Sequence, residues 1–289
     1  MRVRVTLLLV LLSAASATMA VDVASLWDYN RPELSERRFT AALRTAVGDD
    51  ALILKTQLAR TYGLRHEFIR AQEILQSIER DVATAGPEAR ARYALELGRT
   101  YASATHPPQM LTPEANARAR DAYRQALSIA RDHRLDALAV DALHMLAFVD
   151  TAPADQLYWD RQALAVVQAS TQPDAKTWEA SVRNNLGVAL FDQGRYDDAL
   201  VEFRQALALR EGGGDPDSIR IARWMVAWAL RALGRTDDAL DIQLRLEREF
   251  DAAASPQPDV YEELNALYRA KGDAARALHY EELKRQATK

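Results

Sequence analysis

The chain has 289 residues, 48% of them hydrophobic and 27% charged, with a formal net charge of −4. That balance lies far from the low hydrophobicity and high charge of disordered chains, and no run of lysine or arginine concentrates enough positive charge to grip a phosphate backbone, so nucleic acid is not an expected partner. Without a single cysteine, disulfide frameworks, thiolate zinc sites and thiol-borne lipid anchors are excluded.

The first twenty residues read as a secretory signal: Arg2 and Arg4 supply a positive start, residues 5–12 an apolar stretch and residues 13–20 a small-residue tail. Even residues 5–20 fall short of the roughly 20 apolar residues that span a bilayer. Cleavage is expected after Ala17 or Ala20, with no membrane insertion afterwards. No Asn-x-Ser/Thr acceptor occurs, and the expected address is a bacterial periplasm or the medium. Residues 21–50 are expected to form an N-terminal segment and a capping helix. Asn30-Arg31-Pro32 opens that helix, which runs to about Thr45 with Phe39 and Ala42 on its packing face.

From residue 51 onward the sequence repeats. Gly194-Arg195-Tyr196-Asp197-Asp198-Ala199-Leu200 returns as Gly234-Arg235-Thr236-Asp237-Asp238-Ala239-Leu240 and more loosely from Gly272, at spacings of 40 and 38 residues. A leucine or valine followed by a small residue marks each copy: Leu58-Ala59, Leu97-Gly98, Leu146-Ala147, Leu186-Gly187 and Val226-Ala227, with Leu264-Asn265 the weakest. An aromatic or leucine three residues on (Tyr62, Tyr101, Leu190, Leu230, Tyr268) shares one helical face with the small residue. A second helix then carries a small residue and two packing positions, as Ala119, Tyr123 and Ala126 and again as Ala199, Phe203 and Ala206. The copies are placed at about 51–85, 87–132, 135–171, 174–212, 216–251 and 256–289.

Leucine, glycine, three-on tyrosine, alanine and four-on phenylalanine resemble the tetratricopeptide-repeat pattern, most closely over residues 184–207. The resemblance spans the mature chain, with the period stretched from 34 to about 40. It implies an all-α fold: a right-handed α-solenoid of about six helix-turn-helix repeats with an N-terminal capping helix. The third copy departs from the pattern with Asp150 in the aromatic column, and the second with a long Pro-containing turn over residues 105–113. At the far end Glu281 and Lys284 replace the apolar packing pair, so the last helix should be a polar end cap.

No catalytic, cofactor or metal residue is assigned, and the chain is not expected to be an enzyme. His66, His106, His133, His144 and His279 form no His-x-x-x-His pair. Asp197-Asp198 and Asp237-Asp238 recur in register with the fold, which makes them helix-start charges rather than an acid–base pair. Gly212-Gly213-Gly214 lacks the lysine and hydroxyl of a phosphate loop and reads as a turn.

In such a solenoid the first helices line a concave groove, where a protein or peptide partner is expected. Two columns are assigned to it. Three residues before the small column stand Thr56, Leu95, His144, Asn184, Trp224 and Glu262; one residue after it stand Arg60, Arg99, Phe148, Val188, Trp228 and Ala266. The groove candidates are Arg60, Arg99, His144, Phe148, Asn184, Asn185, Trp224 and Trp228. Arg60 and Arg99 make its first part cationic, unless they pair with Glu96 or Glu67, and the two tryptophans face either groove or core. The lysines of the family's carboxylate clamp are missing, so capture of a peptide C-terminus is not expected. Two other functions stay open: an enzyme or enzyme subunit with a site assembled across repeats, and a small-ligand or glycan binder using the tryptophans.

Overall fold

The computed structural model describes residues 21–255 and 257–288. The expected signal and its cleavage points lie outside these residues. Two helices open the described chain, α1 (Val23–Leu26) and α2 (Pro32–Leu43). Six antiparallel pairs follow: α3 (Gly48–Leu64) with α4 (Phe68–Val82), α5 (Pro87–Tyr101) with α6 (Pro113–Asp132), and α7 (Asp136–Val149) with α8 (Pro153–Ala169). After the short α9 (Pro173–Lys176) come α10 (Glu179–Asp192) with α11 (Tyr196–Glu211), α12 (Pro216–Ala232) with α13 (Thr236–Ala252), and α14 (Pro258–Ala270) with α15 (Ala274–Ala287). Each helix packs on its neighbours in the chain, and several first helices also touch the next first helix or the preceding second helix. The result is an α-solenoid capped by α2. None of the helices among the described residues is long and apolar enough to cross a membrane.

Close approach within a pair explains the small-residue column. A Cβ on Gly98 would lie 2.4 Å from Cε1 of Tyr123, and one on Gly187 would lie 2.4 Å from Cε1 of Phe203. Tyr123 and Phe203 therefore press their rings directly onto the backbone of the facing helix, and both are fully buried. The Tyr123 hydroxyl donates to the Ala102 carbonyl at 2.6 Å, so its one polar atom is satisfied. The core is a succession of local clusters, one around Leu95, Tyr123 and Leu143 and another around Leu190, Phe203 and Leu230. Such linear packing is what a repeat architecture requires.

The turns follow local chemistry. Gly194, Gly234 and Gly272 take the left-handed conformation between the helices of the last three pairs, with φ of 73°, 72° and 74°. Thr112 and Asp215 cap α6 and α12 by accepting from Ala115 N and Ser218 N. The aspartates after the repeated glycines have partners close by: Asp238 pairs with Arg235 at 2.6 Å, Asp198 pairs with Arg195, and Asp237 pairs with Lys271. Asp150, which breaks the aromatic column, accepts from Trp159 Nε1 at 2.9 Å and pairs with Arg120, which clamps the turn between α7 and α8.

At the N-terminal end Phe39 of α2 is fully buried and meets Trp27 edge-on at 5.1 Å. At the other end Glu281 pairs with Arg269 at 2.8 Å and Lys284 with Glu262 at 2.7 Å. Charge rather than apolar surface thus covers this face of α15.

Candidate functional site

Side chains of α3, α5, α7 and α10 line the inner surface of the solenoid. Of the two columns assigned to it, the one following the small residue holds together: Arg60, Arg99, Phe148, Val188 and Trp228 are all half-buried there. The other column divides. Thr56 and Leu95 are buried, His144, Asn184 and Trp224 are half-buried, and Glu262 is exposed. Four residues turn a helix about 40° past a full revolution, enough to carry a side chain from the inner face toward the adjoining repeat.

The first cavity, of about 200 Å³, lies among repeats one to three. Its polar side is a charge network. Arg60 approaches Glu96 at 3.3 Å and Asp141 at 3.7 Å; Arg99 approaches Glu96 at 2.6 Å and also pairs with Asp141. Burial alone would lower the Arg99 pKa, but Asp141 and Glu96 outweigh it and hold the guanidinium charged. Burial likewise opposes ionisation of Asp141, and Arg99 and Arg60 overcome it and keep the carboxyl below its ordinary range. Of the two readings of this stretch, the cationic one is corrected and pairing with Glu96 holds: two arginines and two carboxylates cancel, with Glu96 on the helix of Arg99 and Asp141 on the next first helix. Ala59, Leu64, Ala71 and Met145 form the apolar side, and Trp178 closes one end.

A second cavity, of about 210 Å³, opens beside the first between repeats three and four. Phe148, Val188, Asn185 and Asp192 line it together with Gln156 and Asp160 of α8. His144 lines both cavities. Asn185 Nδ2 lies 3.0 Å from His144 Nδ1, and since an amide nitrogen only donates, Nδ1 accepts and the neutral ring carries its proton on Nε2. Burial lowers the His144 pKa; Asp141 opposes that shift, while Arg99 and Arg60 add to it. The imidazole is thus kept neutral at physiological pH.

Beyond the first cavity the groove widens into a space of about 480 Å³ bounded by Trp27, Tyr29, Gln57, Arg60, Asp141 and Trp178. Trp27 stacks on Tyr29 at 4.6 Å and donates from Nε1 to Gln57 at 3.0 Å, while the Arg60 guanidinium lies 5.8 Å and 5.6 Å from the two ring centroids. The segment ahead of α2 is in this way part of the groove wall. Trp224 and Trp228 stand farther along, stacked on each other at 5.8 Å, with Trp228 also on Phe191 at 3.5 Å. Both pack against the core while keeping part of their surface exposed, so neither half of the expected alternative describes them alone. Asn184 lines neither cavity, and its Oδ1 is buried without a hydrogen-bond partner.

The site therefore brings together Arg60, Arg99, His144, Phe148 and Asn185, leaves Asn184 aside, and sets Trp224 and Trp228 one repeat beyond. Glu96 enters it as the partner weighed for the two arginines, whereas Asp141, Asp160, Trp178, Trp27 and Tyr29 were not expected in it. A signal for Asp160 is present in the sequence, since Gln156-x-x-x-Asp160-x-x-Ala163 is in register with Ala199-x-x-x-Phe203-x-x-Ala206. Among the described residues no group of three or more His, Asp or Glu side chains is placed to hold a metal ion. His106 stacks on Phe68 at 3.7 Å and bonds to Ser103 and Thr100, which line the first cavity, so it packs behind that wall.

Residues 178–247 match the family model described as tetratricopeptide repeat. Among solved structures, BtubC (BKLC) from P. vanneervenii superposes with a TM-score of 0.60 at 17% identity, covering 82% of this chain and 94% of that one. A putative kinesin light chain with nearly identical TPR-like repeats from Podosopora anserina gives 0.53 at 18% identity, covering 73% and 100%. NprR in complex with its cognate peptide NprX gives 0.51 at 11% identity, covering 90% and 75%. At these identities the likeness is one of fold. No curated protein matches the sequence.

Proposed function

We propose that this tetratricopeptide-repeat protein holds an extended peptide segment of a protein partner along the groove formed by α3, α5, α7 and α10, and that it does so after export from the cytosol. The observation that carries the binding reading is the pair of adjoining cavities on the inner face, sharing His144 as a common wall. Side-chain-sized holes in a row suit successive side chains of an extended chain, whereas a small-molecule site would gather its apolar lining into one enclosed pocket. The NprR structure, solved with its cognate peptide, supports the same reading by fold.

A photocrosslinking amino acid at Val188 or Phe148, on the groove, should capture the partner in the native host. The same group at Leu278 or Val201, 67% and 51% exposed on second helices, should not. A peptide from the captured partner should then bind the purified chain. Capture from the outer positions only would defeat the reading. Export rests on the charged start, apolar stretch and small-residue tail of residues 1–20. Intact-mass analysis of the exported protein should find a chain beginning at Thr18 or Val21, and a full-length cytosolic species would refute it.

A further inference from the structure

One residue of the second cavity breaks the packing seen in the pairs on either side of it. In α6 and α11 the position four after the small residue, Tyr123 and Phe203, packs against the facing first helix. In α8 the same register reads Gln156, Asp160, Ala163. A four-atom aspartate side chain stands where α6 and α11 carry a ring, and a hole of about 210 Å³ opens beside it. Ala163 keeps its place in the core at 1% exposure, so the helix has not shifted to close the gap.

Asp160 is only 4% exposed and makes no hydrogen bond or ion pair among the described residues. Burial, with no compensating donor, pushes its carboxyl up to about 7. An isolated buried carboxyl is costly and in most proteins is avoided or paired. Here the group lines an open cavity and lacks only a partner.

The other polar groups of the cavity specify the partner's chemistry. The Gln156 amide donates to the Ala147 carbonyl at 3.3 Å and the Asn185 amide to His144 at 3.0 Å, so each has one N–H engaged and its amide oxygen left as an acceptor. Asp192 of α10 stands exposed at the rim and has no ion pair among the described residues. The cavity thus offers acceptors from Asp160, Asp192, Asn185 and Gln156. Phe148 and Val188 provide apolar wall and an aromatic face. The two carboxylates set the charge of that lining, so a group with several donors, positive charge and an apolar stem matches it, and among peptide side chains lysine and arginine have all three properties.

We propose that the cavity between repeats three and four is a specificity pocket for a lysine or arginine side chain of the peptide bound in the groove, with Asp160 as its counter-ion. The inference rests on the groove reading above. A carboxylate or phosphate is excluded from this pocket by like charge, and an uncharged aliphatic side chain would leave Asp160 unpaired. Pairing pulls the Asp160 proton off, so binding of the basic side chain strengthens as pH rises through the neutral range. The titratable groups facing Asp160 across the cavity are His144 of α7 and Asp192 of α10, while Gln156 on its own helix does not titrate.

The probes are fluorescein-labelled decapeptides of alanine, glycine and serine with one central lysine, arginine, norleucine or glutamate, tested on the mature full chain by fluorescence anisotropy at pH 8. Lysine and arginine peptides should bind at least tenfold more tightly than norleucine, and glutamate more weakly still. Asp160→Asn should erase the preference for lysine over norleucine, and Asp160→Phe, which restores the ring, should do the same by filling the hole. Circular dichroism reports whether each variant is folded, and carboxyl NMR of the unmodified chain gives a second readout: the lysine peptide should drive Asp160 into its ionised form and the norleucine peptide should not. Binding without a basic preference, or a preference that survives in Asp160→Asn, overturns the pocket while leaving the groove reading in place. No binding by any peptide of the set, with the crosslinks above also missing from the groove, overturns both.

Discussion

Asp160 is also an energetic liability whose sign follows from its titration. Its folded pKa of about 7 lies above the ordinary 3.8, so the folded chain holds this proton more tightly than the unfolded chain. The contribution to stability is complete below about pH 4 and is lost as pH rises toward 7. Asp160→Asn cannot ionise and escapes that loss. Relative to the unmodified chain it should gain up to roughly 4 kcal/mol in stability between pH 4 and pH 8. Urea unfolding of both proteins at the two pH values measures this, and a difference that does not move with pH would contradict it. A second residue tells a related story without charge. Gln243 stands in α13 at the position of Phe203, is fully buried, and has no partner for either amide atom. Gln243→Leu should therefore stabilise the chain by about 1–3 kcal/mol, since an apolar group of similar shape carries no desolvation cost. An unchanged or lowered melting temperature would count against that account.

At the scale of elements, the network of Arg60, Arg99, Glu96 and Asp141 joins α3, α5 and α7. Glu96 is 3% exposed and relies on the arginines for its partners. Arg99→Ala would leave two buried carboxylates sharing Arg60 as their remaining cation and should cost about 3 kcal/mol, whereas replacing Arg99, Glu96 and Asp141 together by apolar residues of similar volume should recover most of that loss. Chemical denaturation of the two variants distinguishes a coupled network from independent pairs. What the sequence made legible at this level was whatever recurs: the helix pairs, the glycines in the turns, the rings set against Gly98 and Gly187, and the half-buried column from Arg60 to Trp228. The charge network was not legible, because it depends on how far one first helix is displaced along the next. That offset decides that Asp141 faces Arg99 across 42 residues of sequence. Leu95 shows the same limit, since a rotation of about 40° separates the groove from the core and no single-helix pattern resolves it. Asp160 lay between these cases. Its register was readable, yet what the substitution opens could be seen only with α7 and α10 in place.

For the whole molecule, linear packing means that no single core holds the ends. The last described pair, α14 and α15, rests on α13 through a cluster of Leu246, Val260, Tyr261, Leu264, Tyr268 and Tyr280, and among the described residues nothing packs on its other side. The middle pairs are held from both sides. Native-state hydrogen exchange should therefore show α15 and α14 opening at lower free energy than α7 and α10. Uniform protection along the chain would mean that the solenoid unfolds as one unit.

His144 has a place in both cavities, and that gives the groove a form of arithmetic that neither hole has alone. Two side chains seated in the two cavities would meet opposite sides of one imidazole, and whatever ordering the first contact adds to the hold of Asn185 is there for the second. Any such coupling must be reciprocal: whatever factor the first occupant adds to the second, the second returns to the first. A peptide that fills both holes would then bind more tightly than the product of two fragments predicts, and a His144→Ala variant would bring the two quantities together.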